Sequence, residues 1–160
     1  KIGDYAFQNC HALQMISLPS TITSMGAGIF DGCRELRSVK LPDGITEIPD
    51  EAFKGCLRLI EIRLPNGVSR IGKSAFEECN TLCKVDLPQK LEIIGESGFQ
   101  QCTALKDIKL PNTMRSLGDR AFQGCFELES IDIPPHLQYN ETVFFFCNKI
   151  QDQIHPTNTY

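Results

Sequence analysis

The sequence predicts an α/β solenoid in which 23-residue units each supply one short helix and one strand of a parallel sheet. Three observations predict it. A phenylalanine recurs at a fixed interval through Phe7, Phe30, Phe53, Phe76, Phe99 and Phe122, with Phe144 one residue early. A cysteine column keeps the same spacing through Cys10, Cys33, Cys56, Cys79, Cys102 and Cys125, then Cys147. A leucine column runs beside them through Leu13, Leu36, Leu59, Leu82, Leu105 and Leu128. Units repeated in this way bury their apolar faces only against one another, so the chain stacks.

The units begin at Ile2, Met25, Ile48, Ile71, Ile94 and Leu117, giving six full repeats over 2–138 and a degraded seventh over 139–160. No linker separates them, so 1–160 reads as a single domain. The pattern is already running at Lys1 and no Met opens the chain, which reads as a fragment of a longer one. Phe7, Leu13, Ile16 and Leu18 then have nothing before them, and the first unit is expected to need upstream repeats or a partner at that end. At the other end Gln153 and His155 stand where an apolar strand would place Ile and Leu, so the array can stop there.

Each unit is read in the same order. Ala and Phe adjoin and Cys follows at three and four residues, one face of a helical turn, so A-F-x-x-C predicts a short helix. Gly32, Gly55 and Gly124 just before their cysteines hold it to one or two turns. Next comes L-x-x-I-x-L, as in Leu59, Ile62 and Leu64, whose last two residues alternate as a strand requires. Pro19, Pro42, Pro65, Pro88, Pro111 and Pro134 end each strand because proline cannot donate to a ladder. Asp43-Gly44 and Asn66-Gly67 follow as turn dipeptides. The second unit position holds Gly in five repeats but Pro49 in the third, so it does not demand positive φ. Close approach of neighbouring coils explains glycine there.

Bulk properties exclude several functions. Net charge is -4, the pI is near 5.4 and cations are scattered singly, which argues against nucleic acid. The longest strictly apolar run, Val143 to Cys147, is far short of the ~20 residues of a membrane span. The 41% hydrophobic content is enough to fill a core.

The full pattern I-G-x-x-A-F-x-x-C-x-x-L-x-x-I-x-L-P-x-x-I resembles the BspA-like, or treponemal-type, leucine-rich repeat, and the likeness covers Ile2 to about Pro156. It departs from the commoner leucine-rich consensus because no Asn recurs after the strand: Thr21, Gly44, Gly67, Lys90, Thr113 and His136 stand there. The resemblance implies an interaction protein, often surface-displayed and adhesive, hence a cell-surface or extracellular location. The alternative is a structural repeat subunit inside an intracellular assembly.

Catalytic, cofactor and metal sites are not expected. The cysteines share one apolar face with Phe, where free thiols pack as small hydrophobes. No C-x-x-C pair or nearby His completes a metal set. Cys83, at a position mostly polar in other repeats, is the expected accessible thiol, and no base adjoins it for catalysis. His11, His136 and His155 read as surface residues. Asn140-Glu141-Thr142 matches a glycosylation sequon of little weight. Phe145 and Phe146 in the terminal unit read as end caps.

The candidate binding surface is the outward side of the strands. One row is Ser17, Lys40, Arg63, Asp86, Lys109 and Asp132; a second is Met15, Ser38, Glu61, Lys84, Asp107 and Ser130. Lys40, Glu61, Arg63, Lys84, Asp86, Asp107, Lys109 and Asp132 are the expected contacts to a protein partner. Their signs alternate over most of each row, so a self-compensated solvent face is the competing reading.

Overall fold

The structure, a computed structural model, describes residues 1–157. The last three residues of the seventh unit lie outside the described residues.

The chain winds as a stack of short β-segments and turns at 23-residue spacing. Six three-residue strands lie on one side: β1 (Met15–Ser17), β2 (Ser38–Lys40), β4 (Glu61–Arg63), β6 (Lys84–Asp86), β8 (Asp107–Lys109) and β10 (Ser130–Asp132). β1 pairs with β2, β4 with β6 and β8 with β10, all parallel and in repeat register. The alternation predicted for L-x-x-I-x-L holds: Val39, Ile62, Val85 and Ile108 turn inward between exposed neighbours.

A second parallel sheet was not anticipated. β3 (Glu47–Ile48), β5 (Arg70–Ile71), β7 (Ile93–Ile94) and β9 (Ser116–Leu117) form one four-stranded ladder, and an isolated parallel bridge joins Ile2 to Met25 at the equivalent positions of the first two coils. Two-residue strands carry a single inward side chain each, too few for alternation to reveal.

The predicted helix does not form, and the fold is a β-solenoid rather than α/β. In the third coil Lys54 N–H donates to Glu51 O at 3.2 Å and Cys56 N–H to Phe53 O at 3.1 Å, which closes turns. Between them, Glu51, Phe53 and Gly55 donate instead to Lys73, Ala75 and Glu77 of the next coil at 2.7–2.8 Å. A helix keeps its N–H groups to itself; here alternate ones are given to the neighbour. That requires left-handed backbone at Glu51 (φ 57) and Gly55 (φ 69), and the same two positions recur through Arg120 and Gly124. A side chain there costs roughly 1–2 kcal/mol, which the inter-coil bonds offset. The last coil lacks the first of the two, and there alone among the described residues 3-10 turns appear, at Glu141–Phe144 and Asn148–Ile150.

The columns form the core. Phe30, Phe53, Phe76, Phe99 and Phe122 are fully buried, and successive rings from Phe7 to Phe144 stack at 5.0–5.5 Å. The cysteines beside them are free, and each thiol from Cys33 onward donates to a Phe carbonyl of the preceding coil, as Cys79 does to Phe53 at 3.1 Å. Burial pushes the Cys33 thiol up to about 11 and raises those of Cys56, Cys79, Cys102 and Cys125 as well. Cys10 departs from the expectation: in the first coil it is half-buried, like Cys83.

The second-position glycines meet the preceding coil. A Cβ on Gly95 would lie 2.8 Å from the Lys73 backbone nitrogen, although its φ is not positive. Gly3, in the first coil, would meet nothing within 4 Å.

The far end closes differently from the reading of Phe145 and Phe146 as caps. Those rings stay 42% and 58% exposed, tilted against each other. Tyr139, edge-on to Phe144 at 5.4 Å, and buried Ile150 cover the core instead. Gln153 closes the sheet edge: its amide oxygen accepts from Ile131 N–H at 3.3 Å and its nitrogen donates to Glu129 O at 2.9 Å. Asn140 of the sequon is structural, capping Thr142 N–H at 2.9 Å and donating to Asp119.

Candidate interaction face

The outward side of β1, β2, β4, β6, β8 and β10 is a strip of exposed side chains over an apolar floor. Its geometry follows from the short strands: one inward residue flanked by two outward ones repeats in every coil, and parallel register aligns the outward ones. Glu61 stands beside Lys84 and Arg63 beside Asp86; Lys109 stands beside Asp132 and Asp107 beside Ser130. All eight candidate residues, Lys40, Glu61, Arg63, Lys84, Asp86, Asp107, Lys109 and Asp132, are exposed and on this side.

Opposite charges adjoin here without closing ion pairs. Among the described residues none of the eight lies within 4.0 Å of an opposite charge. Charges elsewhere do pair across coils: Lys54 with Glu77 at 3.2 Å, Lys73 with Glu96 at 3.2 Å, and Arg70 with Asp50 at 3.0 Å. The second sheet differs, since Arg70 of β5 pairs with its register neighbour Glu47 of β3 at 3.7 Å.

The strip is not one continuous ladder. Among the described residues no strand pairing joins β2 to β4 or β6 to β8. Clefts open at both junctions. One of about 330 Å³ lies over Arg37, Ser38, Glu61 and Arg63, and one of about 280 Å³ between Lys40, Asp43 and Arg63. A third of about 230 Å³ lies over Asp86, Gln89, Asp107 and Lys109. Arg37 and Asp43 are therefore part of the face, although they flank the strand and escape a reading confined to its alternation. No group of three or more metal-ligating side chains occurs among the described residues, and no helix there is long and apolar enough to cross a membrane.

Comparison with known proteins agrees with this architecture. The profile of the BspA type leucine rich repeat region matches six copies over residues 1–97 and 81–160. The crystal structure of a Treponema pallidum leucine-rich repeat protein is similar at 34% identity and a TM-score of 0.91, covering 95% of this chain and 72% of that one. A leucine-rich repeat protein from Bacteroides ovatus is 31% identical, TM-score 0.66, over 86% of this chain and 42% of that one. A leucine-rich cell surface protein from Faecalibacterium prausnitzii is 28% identical, TM-score 0.61, over 92% and 49%. This chain thus spans less than half the length of the latter two. Among curated protein sequences none matches significantly. With the profile running through every coil whose Phe, Cys and Leu columns build the core, the chain belongs to the BspA-type leucine-rich repeat family.

Proposed function

We propose that this chain is a non-enzymatic scaffold for protein interaction, an adhesive or surface-displayed domain that binds a protein partner through its strand face. The observation that carries the reading is the charge state of that face. Among the described residues Lys40, Glu61, Arg63, Lys84, Asp86, Asp107, Lys109 and Asp132 are exposed and free of ion pairs, while elsewhere on the coil charges such as Lys54, Arg70 and Lys73 pair across the stack. Unpaired charges keep their hydration and are free to exchange it for a partner's polar groups. The Faecalibacterium protein described as a cell surface protein supports a surface location for this one.

The first coil supports a further component of the reading. Ile2, Phe7, Cys10, Leu13 and Ile16 remain partly exposed where their successors are buried. Additional coils or a partner covering this end would complete the core.

The test is binding of the purified chain to a panel of immobilised extracellular-matrix proteins, compared with the double variant Arg63→Glu/Lys109→Glu. Weaker binding by the variant, at low salt and with an unchanged melting temperature, is expected. Undiminished binding by the variant would move the site off this face.

A further inference from the structure

We propose that the strand face holds a receptor site for an acidic, extended peptide segment, centred on Lys40 and Arg63. The inference rests on the strand-face reading above and names the partner's chemistry.

The 23-residue register that sets Arg63 beside Asp86 and Lys109 beside Asp132 also sets Lys40 beside Arg63. In the two outward rows this is the one place where like charges adjoin. Every other adjoining pair of charges is opposite: Glu61 with Lys84, Lys84 with Asp107, Arg63 with Asp86, Asp86 with Lys109 and Lys109 with Asp132. Like charges facing across neighbouring strands repel, and a free-standing structure gains nothing from the arrangement. Neither cation has an ion-pair partner among the described residues.

The backbone is unusual at the same place. The pairing of β1 with β2 and of β4 with β6 stops short of joining β2 to β4, and the 330 Å³ and 280 Å³ clefts flank Arg63 there. The second such junction, β6 to β8, has opposite charges facing across it, Lys84 with Asp107 and Asp86 with Lys109. The repulsion of Lys40 and Arg63 thus coincides with one of the two lapses, and the cleft between them is open from the solvent side.

A carboxylate seated between the two cations relieves the repulsion. The Arg63 fork can donate two parallel hydrogen bonds to it while the Lys40 ammonium donates a third. Val39, Leu41 and Ile62 floor the clefts with apolar surface. Asp43, Glu61 and Asp86 line the same clefts as the cation pair. A uniform polyanion would be repelled by those acids. A peptide whose acidic side chains alternate with neutral ones would not, which favours peptide over sulfated polysaccharide or nucleic acid.

The experiment measures fluorescence anisotropy of a labelled, end-blocked hexapeptide of alternating Glu and Ser against the full chain, with an alternating Lys and Ser hexapeptide and a heparin oligosaccharide as comparators. The expected result is selective binding of the Glu-Ser peptide, weakened at least about tenfold in Lys40→Gln/Arg63→Gln and less than about twofold in Arg34→Gln, an exposed cation off the strand face. Both side chains are exposed, and circular dichroism checks that each variant folds. Equal weakening by Arg34→Gln, no weakening by the double variant, absence of Glu-Ser binding, or tighter binding of the Lys-Ser peptide or heparin would each overturn the proposal. The strand-face reading fails separately, only if matrix-protein binding is insensitive to Arg63→Glu/Lys109→Glu.

Discussion

Replacing Phe76 by alanine removes the central ring of the aromatic stack. Phe76 is fully buried, 5.2 Å from Phe53 at an interplanar angle of 5° and 5.0 Å from Phe99 at 6°. A buried Phe-to-Ala change costs about 3 to 5 kcal/mol, and a stacked pair contributes about 0.5 to 1.5 kcal/mol beyond its buried area. With two such partners and close-packed coils on either side, Phe76→Ala belongs at the upper end, about 5 kcal/mol. That is comparable to the whole stability of many domains, roughly 5 to 15 kcal/mol. Phe7 is the internal control: it stacks on Phe30 alone, at 5.4 Å, and is partly exposed. Phe7→Ala should cost about half as much. Urea titrations followed by circular dichroism measure both, and amide exchange should rise in the third and fifth coils of the Phe76 variant as nearest-neighbour coupling is lost. A midpoint unchanged by Phe76→Ala, or an equal loss from Phe7→Ala, would refute a load shared ring by ring along the stack.

Brief alkylation of the native protein should add label at Cys10 and Cys83, both half-buried, and reach the buried cysteines only on unfolding; intact-mass spectra with seven or eight rapid additions would contradict this. The Cys33 thiol stays neutral in the fold to about pH 11, while in the unfolded chain it ionises from about pH 9. Its contribution to stability is therefore complete below pH 9 and lost as pH rises toward 11, which urea midpoints across that window would register and Cys33→Ala would blunt. Gly95→Ala drives a Cβ into the backbone of the coil before it and should cost about 1 to 3 kcal/mol, whereas Gly3→Ala should change the melting curve little. Gln153→Leu removes both amide bonds that close the β10 edge, so the Ile131 amide should exchange faster in that variant.

The repeat, its register, the buried columns and the outward rows are legible in the sequence because each rests on side-chain chemistry repeated in every unit. The turn in place of the helix is not. Its second left-handed position is glycine at Gly32, Gly55 and Gly124 but Asn9, Glu78, Gln101 and Phe146 elsewhere, and those side chains conceal a conformation that in the repeats before the last is imposed by backbone bonds to the next coil. The spacing of Phe and Cys fits a turn stabilised from outside as well as it fits a helix. The thiol ladder escaped for a similar reason: its acceptors are Phe carbonyls, which leave no mark on residue choice. The terminal cap was half visible, since Gln153 announces the end of the apolar strand but not the amide pair that closes it. At the candidate face, sequence supplies the identity and order of the charges. Whether they pair, and where the ladder lapses, depends on side-chain direction and strand separation in three dimensions.

The strand face as the site of recognition is tested most directly by amide chemical-shift mapping of the ¹⁵N-labelled chain with a bound matrix protein fragment from the panel. The account predicts the largest changes in Ser38–Lys40, Glu61–Arg63 and Lys84–Asp86, with the turn residues Asp31, Lys54 and Glu77 undisturbed. Changes concentrated at those turns, or at either end of the stack, with the three strands unmoved would contradict it.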